Sequence, residues 1–342
     1  MHDDVLTMSR AQSDAWRAGT LARPEEVVPG VWAFASPIPG GALPSTLTYA
    51  LVGPDGVHLI DPGWNSDDNA AALRRSLARL GSSVADVVTV VATHHHPDHL
   101  GIAARLRDES GARIVFSHAE RRVLAQQTAP AAHDRVDYRH RLKTWGVPLA
   151  ARDNLLANFD RASLVADVEP DLVVEDGDVL AFGGRQLTVL ATPGHTGGHV
   201  CLVDDAAGLV FTGDHVLPQI YSGVGIGSLP GTDPLTDLFD SLERLAGVDG
   251  YQVLPGHEFR FTGLRTRRAQ IVAHHLRRTR EVARLRGVLA DAPVWEYASR
   301  MTWTGGWAGL HGFHLHSALA QTALHLEFVR SGRAERFLDG AS

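Results

Sequence analysis

At 342 residues the chain exceeds one average domain and suits one large domain with a small one attached. Its 44% hydrophobic content, with 34 Gly and 17 Pro, is that of a globular protein rich in turns, and its net charge of -7 provides no overall basic field for nucleic acid or an anionic membrane. A single cysteine, Cys201, excludes an internal disulfide framework and a cysteine-based zinc knuckle; within Val200-Cys201-Leu202-Val203 it reads as a buried strand residue rather than a nucleophile. The N-terminus carries no apolar signal region and no run reaches membrane-spanning length, so a cytoplasmic protein without a membrane partner is expected.

In chain order, residues 1–28 are polar and read as an arm or loose helix outside the core. Strands follow at 32–35, 46–52 and 56–60, the last two joined by the turn Gly53-Pro54-Asp55-Gly56. Residues 67–80 form a helix with Ala71, Leu73, Leu77 and Leu80 on one apolar face. The β-branched run 87–92 reads as a fully buried strand leading into Thr93-His94-His95-His96-Pro97-Asp98-His99-Leu100-Gly101, where Pro97 sits as at a helix start. His94 and His96 project to one side of extended backbone, and Asp98 and His99 reach back from the first helical turn. Three imidazoles and a carboxylate in so short a span suit a borderline metal such as zinc. The plain alternative is a run of solvated loop histidines.

A strand at 113–116 and a helix at 119–127 come next, then residues 130–164, rich in His, Arg and Tyr, which read as a helical insertion or a solvated helical hairpin with no catalytic role. The strand 186–191 ends in Thr192-Pro193-Gly194-His195-Thr196-Gly197-Gly198-His199. The strand 209–211 ends in Thr212-Gly213-Asp214-His215, and, after a helix at 235–245, the strand 252–254 ends in Pro255-Gly256-His257-Glu258. Any one of these strand ends, taken alone, is weak evidence for a metal. Beyond residue 261 lie a long arginine-rich helix (265–289), helices at 294–300 and 316–331, a Gly/Trp-rich connection between them, and a β-like tail at 334–338.

The pattern His-x-His-x-Asp-His after a buried strand, followed by His195, Asp214 and His257 in their motifs, resembles the metallo-β-lactamase superfamily. The resemblance implies an α/β fold, a four-layer αβ/βα sandwich over residues 29–262 with metal at one edge. Carried over by position, His94, His96 and His195 would bind one ion and Asp98, His99 and His257 a second, with Asp214 bridging. Asp61 would accept a hydrogen bond from a ligand histidine and His199 would stand behind the ligands. His95 and His215 would be spare, pointing away or toward solvent. The order of elements over 263–342 is similar to the small, mostly helical winged-helix-type domain of one branch, which includes endoribonuclease-like members; His274-His275, Arg280-Glu281 and residues 318–326 carry that likeness.

An aspartate rather than a cysteine at 214 looks more like glyoxalase II (hydroxyacylglutathione hydrolase), lactonases and RNA-processing members than like periplasmic β-lactamases. The expectation is a dinuclear zinc hydrolase, with iron or manganese as alternative metals, that uses a metal-bound hydroxide on a small carbonyl substrate. A thioester of the acyl-glutathione or acyl-CoA kind is favoured over a lactone. Asp98 would handle the proton of the water and Tyr221 is the candidate oxyanion donor. A metal-dependent endoribonuclease is the alternative, weakened by the acidic total charge; a mononuclear-iron persulfide dioxygenase ranks below it. The C-terminal region is expected to wall the cleft, with homodimerisation as its other role.

Overall fold

The computed structural model describes residues 4–40, 43–127, 131–162, 168–228 and 231–338. Strand β1 (Leu6–Thr7) and helix α1 (Arg10–Arg17) precede a meander of β2 (Glu25–Val28), β3 (Val31–Pro37), β4 (Ser45–Gly53) and β5 (Gly56–Ile60). Helix α2 (Asp67–Arg79) starts at Ser66, whose hydroxyl accepts from Asn69 N, and leads to β6 (Val87–Val91). After it come α3 (Pro97–Leu100), α4 (Ala103–Ser110), β7 (Arg113–Ser117), α5 (His118–Gln127), α6 (Ala131–Thr144), α7 (Leu149–Ala162) and β8 (Leu172–Val174). The second half contains β9 (Val179–Phe182), β10 (Arg185–Ala191), β11 (Val200–Asp204), β12 (Leu209–Gly213), α8 (Pro234–Arg244), β13 (Gln252–Pro255) and β14 (Phe261–Thr262). Helices α9 (Leu264–Leu289), α10 (Val294–Arg300), α11 (Gly312–Arg330) and α12 (Glu335–Leu338) close the described chain.

Two sheets result, ordered β2-β3-β4-β5-β6-β7-β8 and β1-β14-β13-β12-β11-β10-β9. The apolar sets of both inner faces, including Leu47, Tyr49, Ile60 and Val91 against Leu187, Val189, Leu202 and Phe211, form one core between them. A second core lies between the first sheet and α2 and α4, and a third between the second sheet and α8, α9 and α11. This is the expected four-layer αβ/βα sandwich. Strand β12 is buried along its length and β6 at every position but Val88, because each is covered on both sides, which explains their continuous apolar runs. Among the described residues no helix is long and apolar enough to cross a membrane.

Three features differ from the sequence reading. The N-terminal arm is docked: Leu6 and Thr7 pair antiparallel with Thr262 and Phe261, Met8 N donates to Arg260 O, and Gln12 Oε1 accepts from Arg260 N. The tail read as β-like is helix α12, whose Phe337 packs on Phe239 of α8. The insertion is helical as expected, with Pro130 and residues 163–164 outside the described residues. It does not stand alone in solvent: Tyr138, Leu142, Leu155 and Leu156 share a core with Tyr297, Leu315 and Leu319 of α10 and α11.

Candidate metal centre

Strands β5, β6 and β7 run parallel, and β10, β12 and β13 share one direction in the other sheet, so the loops that follow them gather at a single edge of the sandwich. Backbone bonds between the sheets fix that edge: Leu47 N donates to Gly256 O at 2.7 Å and Val200 N to Thr93 O at 3.0 Å. Strand ends have their next carbonyls and amides unpaired, so a loop there can turn side chains inward without breaking a ladder. Gly256 is required by this crowding: a Cβ on it would lie 2.5 Å from Asp214 Oδ1 and 2.7 Å from His99 Cε1.

The seven anticipated donors converge into two sets, His94, His96, His195 and Asp214, and beside them Asp98, His99 and His257. His96 Nδ1 lies 2.9 Å from His94 Nε2 and 3.1 Å from His195 Nε2. One ring nitrogen carries a single lone pair or a single proton and cannot satisfy both neighbours; a shared cation would. Nitrogens at 2.0–2.1 Å around a tetrahedral ion stand about 3.3 Å apart, close to this spacing. In the second set His99 Nε2 and His257 Nε2 lie 3.4 and 3.3 Å from Asp214 Oδ1, and all three atoms are buried without a hydrogen-bond partner. Buried polar atoms rarely go unpaired. The donor chemistry and these orphaned atoms fit divalent metal ions.

The remaining ring nitrogens are held from behind. His99 Nδ1 donates to Asp61 Oδ2 at 2.9 Å, His257 Nδ1 to Ser45 O at 2.9 Å, and His195 Nδ1 to Gly223 O at 2.6 Å. His94 Nδ1 lies 3.0 Å from Thr93 Oγ1, which in turn donates to Asp61 Oδ2. Such bonds set the tautomer and the ring plane, leaving the other nitrogen aimed at the metal. Burial holds the His94 and His96 imidazoles well below their usual pKa range, and neighbouring histidines add to it. For His257 burial is outweighed by Asp214 and Asp98, which raise it to about 10; for His99, burial is outweighed by Asp61, Asp214 and Asp98, which raise it well above its usual value. The same pairs overcome burial to keep Asp214 well below the usual carboxylate range. An ion entering here displaces protons from rings whose charge the carboxylates already balance.

Of the other anticipated residues, Asp61 is bonded as expected and His199 is fully buried, its Nδ1 on Thr192 Oγ1 and its ring 5.3 Å from that of His94. His95 and His215 stand outside the donor sets, as expected, but neither faces solvent. His95 does not face solvent but bonds Glu120 Oε2 at 2.8 Å inside the protein. His215 is 1% exposed and lines a small cavity with Leu238, Ile271 and His275, because a strand end covered by an outer helical layer has no solvent side. Tyr221 stacks on His274 with ring centroids 3.8 Å apart and lies against the Arg267 guanidinium. Glu120 was missed by sequence reasoning. Its only signal was Ser117-x-x-Glu120, which reads as an ordinary helix start.

A sequence model of the Metallo-beta-lactamase superfamily matches residues 42–257. The chain is 27% identical over 221 residues to a probable metallo-hydrolase, YqjP, of Bacillus subtilis, covering 63% of this chain and 68% of that protein. It is 32% identical over 196 residues to an acyl-coenzyme A thioesterase of Bos taurus, covering 55% of this chain and 62% of the relative. It is 31% identical over 192 residues to a hydroxyacylglutathione hydrolase of a Bradyrhizobium species, covering 56% and 54%. A crystal structure of a metallo-beta-lactamase family protein from Thermus thermophilus is similar with a TM-score of 0.74 at 28% identity, covering 90% of this chain and 95% of that one. With that sequence model matched over more than half of its length, and its motif residues gathered at one sheet edge, the chain belongs to the metallo-beta-lactamase superfamily of metal-dependent hydrolases.

Proposed function

We propose that the protein is a dinuclear zinc hydrolase that cleaves a thioester of the acyl-CoA or acyl-glutathione kind. The observation that carries the proposal is Asp214. Its Oδ2 lies 3.6 Å from His195 Nε2, and its Oδ1 faces His99 and His257, so one carboxylate joins two donor sets. Nitrogen and oxygen donors without sulfur suit zinc, with iron or manganese as the other ions such a set accepts. A mononuclear iron oxygenase would hold one iron rather than two zinc ions, so metal content separates the two readings. The relatives named as an acyl-CoA thioesterase and a hydroxyacylglutathione hydrolase support thioester over lactone.

When bound, the ions supply a water-derived nucleophile near neutral pH and polarise the carbonyl oxygen. The protein's own part is orientation and proton handling. Asp98 has the more exposed carboxylate of the pair, 18% against 10% for Asp214, and its Oδ2 lies 3.4 Å from His257 Nε2. It is the group placed to take the proton of the attacking water. Cys201 takes no part, since burial pushes its thiol up to about 12. Tyr221 packs its ring face on His274 and Arg267, and its hydroxyl remains the candidate oxyanion donor.

The structure weakens the nuclease alternative. Arg267 donates to the carbonyls of Leu217, Gln219 and Ile220, Arg268 pairs with Asp249, and Arg278 lies over Trp303. Of the arginine row, Arg265, Arg277, Arg280, Arg284 and Arg286 stay at the surface. Elemental analysis should find about two zinc ions per chain, and a turnover screen should show cleavage of acyl-CoA or acyl-glutathione thioesters ahead of lactones and single-stranded RNA. One iron and no hydrolysis would sink the proposal.

A further inference from the structure

Outside the donor sets, one buried carboxylate touches both loops that carry the first set. Glu120, in the first turn of α5, is fully buried. Its Oε2 accepts from His95 Nδ1 at 2.8 Å, and its Oε1 accepts from Thr196 Oγ1. His95 stands between His94 and His96, and Thr196 follows His195, so a single side chain is bonded to the immediate neighbours of all three histidines of that set. The contact is reinforced by backbone. Ser117 Oγ donates to Gly198 O at 2.5 Å and accepts from Glu120 N at 3.0 Å. A Cβ on Gly198 would lie 2.2 Å from Glu120 N and 2.6 Å from Ala119 C, so the loop after β10 rests directly on the start of α5.

We infer that Glu120 is a positioning residue for one of the two metal ions, the one held by His94, His96 and His195. The argument is geometric. The two loops arise from different sheets, β6 and β10, and their nitrogens must meet within about 3 Å of one another to share an ion. Each loop is short, and the backbone bond from Val200 N to Thr93 O ties them only at their strand ends. Glu120 adds the tie beside the histidines themselves, with one carboxylate oxygen for each loop. A capping Ser-x-x-Glu pair would ordinarily turn the glutamate back toward the serine amide; here the carboxylate is directed to His95 and Thr196 instead. The second set has its own supports, Asp61 behind His99 and the Ser45 carbonyl behind His257, neither of which involves Glu120. Loosening Glu120 therefore weakens one ion and spares the other.

This inference rests on the dinuclear reading, and the experiment separates the two. Metal affinity and stoichiometry are measured by zinc competition against a chromophoric chelator, with thermal melting of the metal-free protein, for wild type, Glu120→Gln and Thr196→Val. An amide has one acceptor oxygen where the carboxylate has two, and valine removes the Thr196 donor without touching Glu120. The expected result is a roughly 10- to 100-fold weaker affinity for one zinc in each variant. The second zinc should be unchanged and the metal-free melting temperature within a few degrees of wild type. Two unchanged affinities, or both weakened together in step with lost stability, would overturn the positioning role and leave the dinuclear reading intact. Wild-type protein binding fewer than two ions would instead overturn the dinuclear reading, and this inference with it. Should Glu120→Gln fail to fold, Thr196→Val alone still decides.

Discussion

Asp61 adopts a backbone conformation that few residues with a side chain take, φ 52°, and its side chain shows what the turn is for. Oδ1 accepts from Thr93 N, and Oδ2 accepts from Thr93 Oγ1 and His99 Nδ1, all within 2.9 Å. Asparagine tolerates the left-handed conformation, so Asp61→Asn keeps the turn while replacing one acceptor oxygen by an amide donor. The variant should lose metal affinity about 10- to 100-fold while remaining folded, as chelator competition and circular dichroism would show; unchanged affinity would mean that Asp61 is only a turn residue. From sequence, Asp-Pro-Gly is a turn signal with no chemical content, and Asp61 was legible only through family likeness. The seven clustered donors were legible because each lies in a motif that directly follows a strand. His95 and Glu120 were not, because their bond joins positions 25 residues apart whose local patterns say only loop and helix start.

At the scale of elements, α9 and α11 meet through imidazoles rather than through an unbroken apolar seam. The rings of His275 and His325 stack at 5.7 Å, and His325 Nδ1 lies 2.9 Å from Thr279 Oγ1. Burial, with Arg278 and His274 nearby, holds His325 down to about 3; burial, with Arg278, Arg277 and Arg267, holds His274 down to about 4; and burial, with His325, His274 and Arg278, keeps His275 well below its ordinary value. In the unfolded chain these rings titrate near about 6.5. The unfolded state therefore binds more protons below that pH. Stability is complete above it and is lost as pH falls toward the folded values. The urea midpoint should drop between pH 7 and 5, and His325→Leu should flatten that slope; an equal slope in the variant would refute the assignment. Such a seam escapes periodicity, because a histidine on an apolar face reads equally as core or surface. Strand β1 was missed for a related reason, since a pair of residues has no period and its partner lies more than 250 positions away.

For the molecule as a whole, the break between β14 and α9 near residue 262 is not a break in the core. Val210, Val253 and Phe261 of the second sheet pack with Ile271, Leu276 and Phe328 of the last helices in one cluster. The C-terminal region is the outer helical layer of that sheet and, through α10 and α11, also the platform for α6 and α7. Cutting the chain after residue 262 would uncover an apolar sheet face, a surface that soluble monomers avoid. That fragment should aggregate or bind a hydrophobic dye, while the full chain stays monodisperse in size-exclusion chromatography. A well-behaved, metal-binding fragment would show that the shared core is dispensable. Length hinted at two units, but packing between layers is long-range and has no signature in either half alone.

The docked N-terminal segment has an optical consequence. Helix α1 sets the indole of Trp16 6.3 Å from the ring of His257, centroid to centroid. An open-shell ion such as cobalt held by His257 would quench that indole's emission, whereas zinc, with its closed shell, would leave it bright. Cobalt titration of the emission, compared with Trp16→Phe, thus gives a light-based count of occupancy at one ion without any substrate.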